Sequence, residues 1–144
     1  MPVYGVHNAT VGAAAPKTLV QIIAAANARA KVRGFVVGNQ AATAAQGVEF
    51  ELNRQTTAGT SSAATPSPND IDAIASRTTA LSTFTAEPTA GTEVMEFGFD
   101  IVGTYIMWFP PGTEIWVANS GRLGLRKTVG ADTSVWSSSL FFEE

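Results

Sequence analysis

Apolar and polar residues alternate along most of this chain with a period of two. The clearest run is residues 48–54, where Val48, Phe50 and Leu52 project to one side and Glu49, Glu51 and Asn53 to the other. Such alternation belongs to a strand with one dry face and one wet face. Met95, Phe97, Phe99 and Ile101 repeat it against Glu96, Gly98 and Asp100, and Leu123 and Leu125 against Arg122 and Arg126. Shorter apolar stretches predict strands at residues 18–23, 31–37, 78–85, 105–109, 115–118 and 134–142.

Turn residues punctuate these runs. Pro110-Pro111-Gly112 is a hard stop, because proline has no amide to give a sheet ladder. Asn119-Ser120-Gly121 and Val129-Gly130-Ala131-Asp132 turn the chain again. Residues 24–28 are the most helix-compatible stretch. They lie between two β-branched runs and contain Asn27, so they read as a strand end and connection, with a helix as the competing assignment. Asn69 or Asp70 has the side chain to cap one helical turn at residues 71–75.

No helical pattern is long enough for a βαβ unit. The prediction is an all-β chain of about eight antiparallel strands, closed as a sandwich or barrel with its apolar faces inward. Residues 55–70, rich in Thr, Ser and Ala with two prolines, predict one long polar loop. The Gly- and Ala-rich residues 1–17 predict an extended N-terminal arm lying on the domain or on a neighbouring subunit. Residues 18–144 then form a single domain.

Composition narrows the function. Only 15% of the 144 residues are charged, and Ala, Thr, Ser and Gly take their place. A surface of that kind is less costly to desolvate against a neighbour, which leans toward an assembly subunit. A net charge of −3 argues against a domain that wraps nucleic acid. With no cysteine, disulfides and thiolate chemistry are excluded. The start lacks the basic and apolar regions of a signal peptide, and the apolar run near residues 19–26 is too short to span a bilayer. A soluble protein made in the cytoplasm, without a membrane partner, is expected.

Candidate chemistry is sparse. His7 is the only histidine, there is no Gly-x-Ser-x-Gly elbow, and a His/Cys metal set lacks its ligands. Arg126-Lys127-Thr128 lacks the glycine of a phosphate loop. No catalytic, cofactor or metal residue is assigned, and the chain is not expected to be an enzyme. Glu49 and Glu51 would stand about 7 Å apart on one strand face, a weak echo of a glycosidase carboxyl pair. Keeping that face wet is the ordinary explanation, with Lys31 and Arg33 as expected cross-strand partners at matching spacing. Arg29, Lys31 and Arg33 form one basic face and Arg122, Arg126 and Lys127 another, each either solvated or docked on an acidic surface. Trp116 points opposite to Ile115 and Val117, so it faces outward as an interface anchor or a sugar platform, unless it packs between sheets.

Several stretches in order resemble a known family. They are Lys17-Thr18-Leu19-Val20-Gln21-Ile22-Ile23-Ala24, Phe35-Val36-Val37, Val48-Glu49-Phe50-Glu51-Leu52 and Arg54-Gln55-Thr56-Thr57-Ala58-Gly59-Thr60. Thr83-Phe84-Thr85-Ala86-Glu87-Pro88-Thr89, Phe109-Pro110-Pro111-Gly112 and Phe141-Phe142-Glu143-Glu144 follow. Together they resemble small virion proteins of tailed bacteriophages. The resemblance implies a jelly-roll-like sandwich that decorates a capsid as a cement protein, a homotrimer whose partner is the major capsid protein. The expected contact residues are Tyr4 and His7 in the arm, Thr57, Thr60 and Pro66 in the loop, and Trp116. The alternative is a glycan- or receptor-binding module on the virion surface or tail.

Overall fold

Each alternating run of the sequence is a strand in the computed structural model, which describes residues 1–12, 14–41 and 44–144, with the backbone alone at residues 9–11. Twelve strands follow one another among the described residues: β1 (Val3–Val11), β2 (Lys17–Ile23), β3 (Ala30–Asn39), β4 (Gly47–Gln55), β5 (Thr60–Ala64), β6 (Ser67–Pro68), β7 (Thr79–Ala86), β8 (Ala90–Asp100), β9 (Thr104–Trp108), β10 (Ile115–Val117), β11 (Arg122–Val129) and β12 (Val135–Glu143). One sheet, here called A, runs β10-β3-β12-β1-β6, with β9 also pairing on β3. The other, B, runs β5-β7-β2-β11-β4-β8. All these pairings are antiparallel.

The pairs nest: β1 with β12, β2 with β11, β3 with β9 and β10, β4 with β8. The chain therefore doubles back on itself like one long hairpin, and successive arms of that hairpin fall alternately in A and B. β5 and β7 extend sheet B past β2, and β6 extends sheet A past β1.

The inner faces of the two sheets make the core. Along β12, Trp136, Ser138, Leu140 and Phe142 are buried while Ser137, Ser139 and Phe141 are half-buried, the alternation a pleated strand imposes. Phe50 packs its ring 5.0 Å from Trp136 and 5.6 Å from Phe99. Across the sandwich Phe35 lies 4.9 Å from Phe97, and Tyr105 4.5 Å from Phe97. Each such side chain contributes roughly 1.5–3 kcal/mol through burial.

One ion pair is set into this core. Lys127 is fully buried on β11, and its ammonium donates to the Asp132 carboxylate and, at 3.1 Å, to the Asp132 carbonyl. The Trp136 indole N–H donates to the same carboxylate at 2.9 Å and the Ser134 hydroxyl at 3.0 Å. Burial alone would raise the Asp132 pKa. Hydrogen bonds from Lys127, Trp136 and Ser134, with the lysine charge, outweigh it and hold the carboxyl below its ordinary value.

Four expectations change. Residues 3–11 are no arm: β1 pairs with β12 along its whole length, and Tyr4 and Gly5 pair with Pro68 and Ser67 of β6. Tyr4 and Val6 point inward and are buried, a two-residue alternation that the Gly- and Ala-rich residues around it obscure. Residues 55–70 are not one loop, because β5 pairs with β7 and β6 with β1, carrying the chain from sheet B to sheet A. Small hydroxyl residues add little core, yet their backbone groups pair as any others do.

At residues 70–73 the Asp70 side chain accepts the Asp72 amide at 3.1 Å and its carbonyl accepts the Ala73 amide at 3.1 Å, closing a turn instead of a helix. Residues 24–28 are a strand end and connection, and there is no helix among the described residues. Lastly, Glu49 and Glu51 lie in sheet B and Lys31 and Arg33 in sheet A, so they are not cross-strand pairs. Glu51 bonds Arg126 at 3.0 Å instead. The chain crosses from sheet A to sheet B between β3 and β4, so these neighbours in sequence are not neighbours in a ladder. Residue 13 of the expected arm and residues 42 and 43 of the connection after β3 lie outside the described residues.

Candidate interaction surface

The outer face of sheet A is built from the residues of β9, β3, β12 and β1 that alternation turns away from the core. Cross-strand register sets them in rows. Trp108, Gly34, Phe141 and Gly5 form one row, and Ile106, Val36, Ser139 and His7 the next. On the side of β10, Trp116, Lys31, Glu143 and Val3 form a third. Ile106 is 59% exposed, Trp108 54% and Trp116 48%, high values for side chains that large.

Glycine flattens the middle row. A Cβ on Gly34 would meet Trp108 Cε3 at 2.6 Å, so the indole lies directly over the bare backbone. It reaches Phe141 across β3, with ring centroids 4.9 Å apart. His7 meets the other side of Phe141 edge-on at 5.9 Å. Beside this plate a shallow groove of about 220 Å³ is lined by Val36, Gly38, Asn39, Gln40, Thr104 and Ser137, among others.

Between the two tryptophans the charges neutralise one another. Lys31 Nζ lies 2.8 Å from Glu143 and 3.8 Å from Glu114, and Arg33 lies 2.5 Å from Glu114 and 3.6 Å from Glu143. Arg33 is the extra residue where β3 slips against β12, and it shares Glu114 and Glu143 with Lys31. Glu114 sits below its ordinary pKa, first through its own backbone N–H, then through the Gly112 N–H at 2.6 Å and the two cations, against desolvation. The expected basic face at Lys31 and Arg33 is thus compensated.

Among the described residues the large apolar side chains exposed on sheet B are Val94 and Val129, neither of them aromatic. Two pairs of that sheet's buried polar side chains bond each other: Gln21 Nε2 donates to Gln55 Oε1 at 2.6 Å, and Asn53 Nδ2 to Glu51 Oε1 at 2.9 Å.

The expected contact residues do not form one patch. Tyr4 is buried, stacked 5.6 Å from Phe142 with its hydroxyl donating to the Ile74 carbonyl at 2.9 Å, and offers no surface to a neighbour. Thr57 and Thr60 are exposed at and before β5, and Pro66 is half-buried between β5 and β6. His7 belongs to the face of sheet A, and Trp116 lies on that sheet's far strand with Ile115 and Val117 buried beside it, as the alternation required.

His7 Nδ1 and Ser139 Oγ are 2.8 Å apart because register makes them direct cross-strand partners. A nucleophilic triad would also hold the imidazole with a carboxylate. Among the described residues the hydrogen bond found for His7 is the one to Ser139.

Four apolar surface residues escaped the sequence. Ile106 and Trp108 sit in a strand whose inward residues, Tyr105 and Met107, are apolar too, so no alternation marked which face was wet. Ile71 and Ile74, 93% and 73% exposed, stand on the turn after β6. No protein-family model, no curated protein and no solved structure matches the chain.

Proposed function

We propose that the chain is a structural subunit and not an enzyme: a capsid decoration protein of a tailed bacteriophage, made in the host cytoplasm and carried on the virion. It docks on the major capsid protein through the outer face of sheet A, as a homotrimer whose repeated weak contacts add up by avidity. The observation that carries this reading is the charge-compensated face that leaves Ile106, Trp108 and Trp116 open to solvent. Interfaces take their energy from aromatic anchors of this kind, set where charge is depleted.

Topology supports the jelly-roll part of the reading. With β5–β7 set aside and β9 and β10 taken as one interrupted strand, eight strands remain, four in each sheet. Their nested pairing, with successive arms in opposite sheets, is that of a hairpin rolled into a double sheet, an architecture shared by viral capsid and lectin domains.

The test is the mass of the purified chain in solution, followed by its sedimentation with empty tailed-phage capsids. The reading expects three times 15.0 kDa and a pellet that holds the protein. A monomer that stays in the supernatant contradicts it. The alternative, a glycan- or receptor-binding module on the virion surface or tail, draws on the same exposed tryptophans, and predicts sugar-dependent Trp fluorescence with no capsid pelleting.

A further inference from the structure

The chain has nine lysines and arginines. Lys17, Lys31, Arg33, Arg126 and Lys127 each meet a carboxylate. The guanidinium groups of Arg29, Arg54, Arg77 and Arg122 form no ion pair among the described residues. Two of these four, Arg29 and Arg54, line a single pocket of about 380 Å³ together with Trp116 and Ala118.

The fold assembles this pocket from both sheets. Arg29 ends the connection into β3, Arg54 lies near the end of β4 in sheet B, and Trp116 is the outward residue of β10 in sheet A. Arg54 Nη1 donates to the Trp116 carbonyl at 3.0 Å, which ties the guanidinium to the strand that carries the indole. That uses one of five N–H donors and leaves the rest of the fork free. Arg29 is exposed. Lys31 Nζ lies 5.5 Å from the centre of the Trp116 ring, yet the residue stays 48% exposed.

In a chain of net charge −3, two uncompensated arginines in one hollow are a local inversion of charge. Guanidinium forks match the two oxygens of a carboxylate. An open indole offers a flat apolar plate to the C–H face of a pyranose ring. The volume falls near the lower end of the ~300–1,000 Å³ of small-ligand pockets. An acidic peptide would use the forks and leave the plate idle, whereas a sugar acid uses both.

We infer that this pocket binds an acidic sugar, a pyranose bearing a carboxylate such as a uronic or sialic acid. The carboxylate sits between Arg29 and Arg54, and the ring lies on Trp116. The pocket lies at the β10 edge of sheet A, outside the Trp108 row, and shares Trp116 with the face proposed to dock.

The experiment titrates the full chain with glucuronic acid, N-acetylneuraminic acid and glucose, read by Trp fluorescence and saturation-transfer NMR. At least one acid should bind, with glucose weaker by about tenfold or more and the acid's affinity falling as salt rises. Arg29→Gln should weaken the acid about tenfold with the thermal midpoint unchanged, since Arg29 is exposed and holds no ion-pair partner among the described residues. Trp116→Ala should weaken it too, and Arg54→Gln repeats the arginine test from the other sheet. Any of three results overturns the inference: neither acid binds, glucose binds as well as the acids, or the Arg29 and Trp116 variants leave affinity unchanged. A glutamate-rich peptide that binds through Arg29 where both sugar acids fail would also overturn it, and would reassign the pocket to an acidic protein.

Discussion

Trp108 meets Phe141 across the strand that carries Gly34, with ring centroids 4.9 Å apart and the rings tilted by 33°. The contact exists because residue 34 has no side chain. A Cβ there would lie 2.6 Å from Trp108 Cε3 and 2.5 Å from the Met107 carbonyl oxygen, and the second atom belongs to backbone that cannot swing aside. Gly34→Ala should therefore cost roughly 1–3 kcal/mol and shift the indole, lowering the denaturation midpoint and changing Trp emission together. Unchanged midpoint and emission would remove the aromatic plate from the account.

The buried Lys127–Asp132 pair gives the second prediction. Asp132→Ala leaves an ammonium in the core with no carboxylate, held by the residue 132 carbonyl and the Trp136 ring 5.7 Å away. The loss should be roughly 3–5 kcal/mol in urea denaturation. Replacing both residues, as Lys127→Met with Asp132→Ala, should recover part of it, since no unpaired charge then remains. A double variant as unstable as the two single losses summed would mean the residues do not act as a pair.

Acid sensitivity follows from the same carboxylate and from Glu144. Glu144 accepts the Arg77 amide at 2.5 Å and the Thr78 amide at 2.8 Å. Burial pushes its pKa up, but bonds from Thr78, Arg77 and Ser76 bring it below the ordinary value. For a group whose folded pKa is depressed, the unfolded chain binds more protons as pH falls, so the native state loses stability. The contribution is complete above the ordinary carboxylate values of ~3.9 and ~4.3 and disappears as pH drops through the depressed ones. The urea midpoint should fall steeply below about pH 4, and Asp132→Asn should flatten part of that fall. A wild-type midpoint constant down to about pH 2 contradicts this.

Inner and outer faces should respond oppositely to truncation. Phe50 is fully buried against Phe97, Phe99 and Trp136, so Phe50→Ala should cost about 3–5 kcal/mol. Ile106→Ser, on the open face, should change stability by no more than about 0.5 kcal/mol. Thermal denaturation of both variants checks the pair, and equal losses would mean the faces are misassigned.

What could be read from the sequence was the set of half-buried strands. Their two residue types alternate because one face is dry, so residues 48–54 and 95–101 show themselves without a structure. Sheet membership was hidden, since the pairing of Glu51 with Arg126 spans 75 positions in sequence and nothing local encodes it. β1 was hidden by the Gly and Ala around Tyr4 and Val6, and β5 and β6 by having almost no core to bury. The site was legible only where flanking residues fixed a direction. Ile115 and Val117 turned Trp116 outward, while Trp108, amid inward Tyr105 and Met107, gave no such signal. The arginine pocket joins residues from three separate stretches, and only ion pairing elsewhere reveals which cations are spare.

The most direct test of the central claim is sedimentation with empty tailed-phage capsids, comparing the wild-type chain with Ile106→Glu/Trp108→Glu. Both proteins should show the same β-sheet circular dichroism. Docking through the outer face of sheet A predicts that the wild type pellets with the capsids and the variant stays in the supernatant. Equal pelleting of the two folded proteins would contradict it.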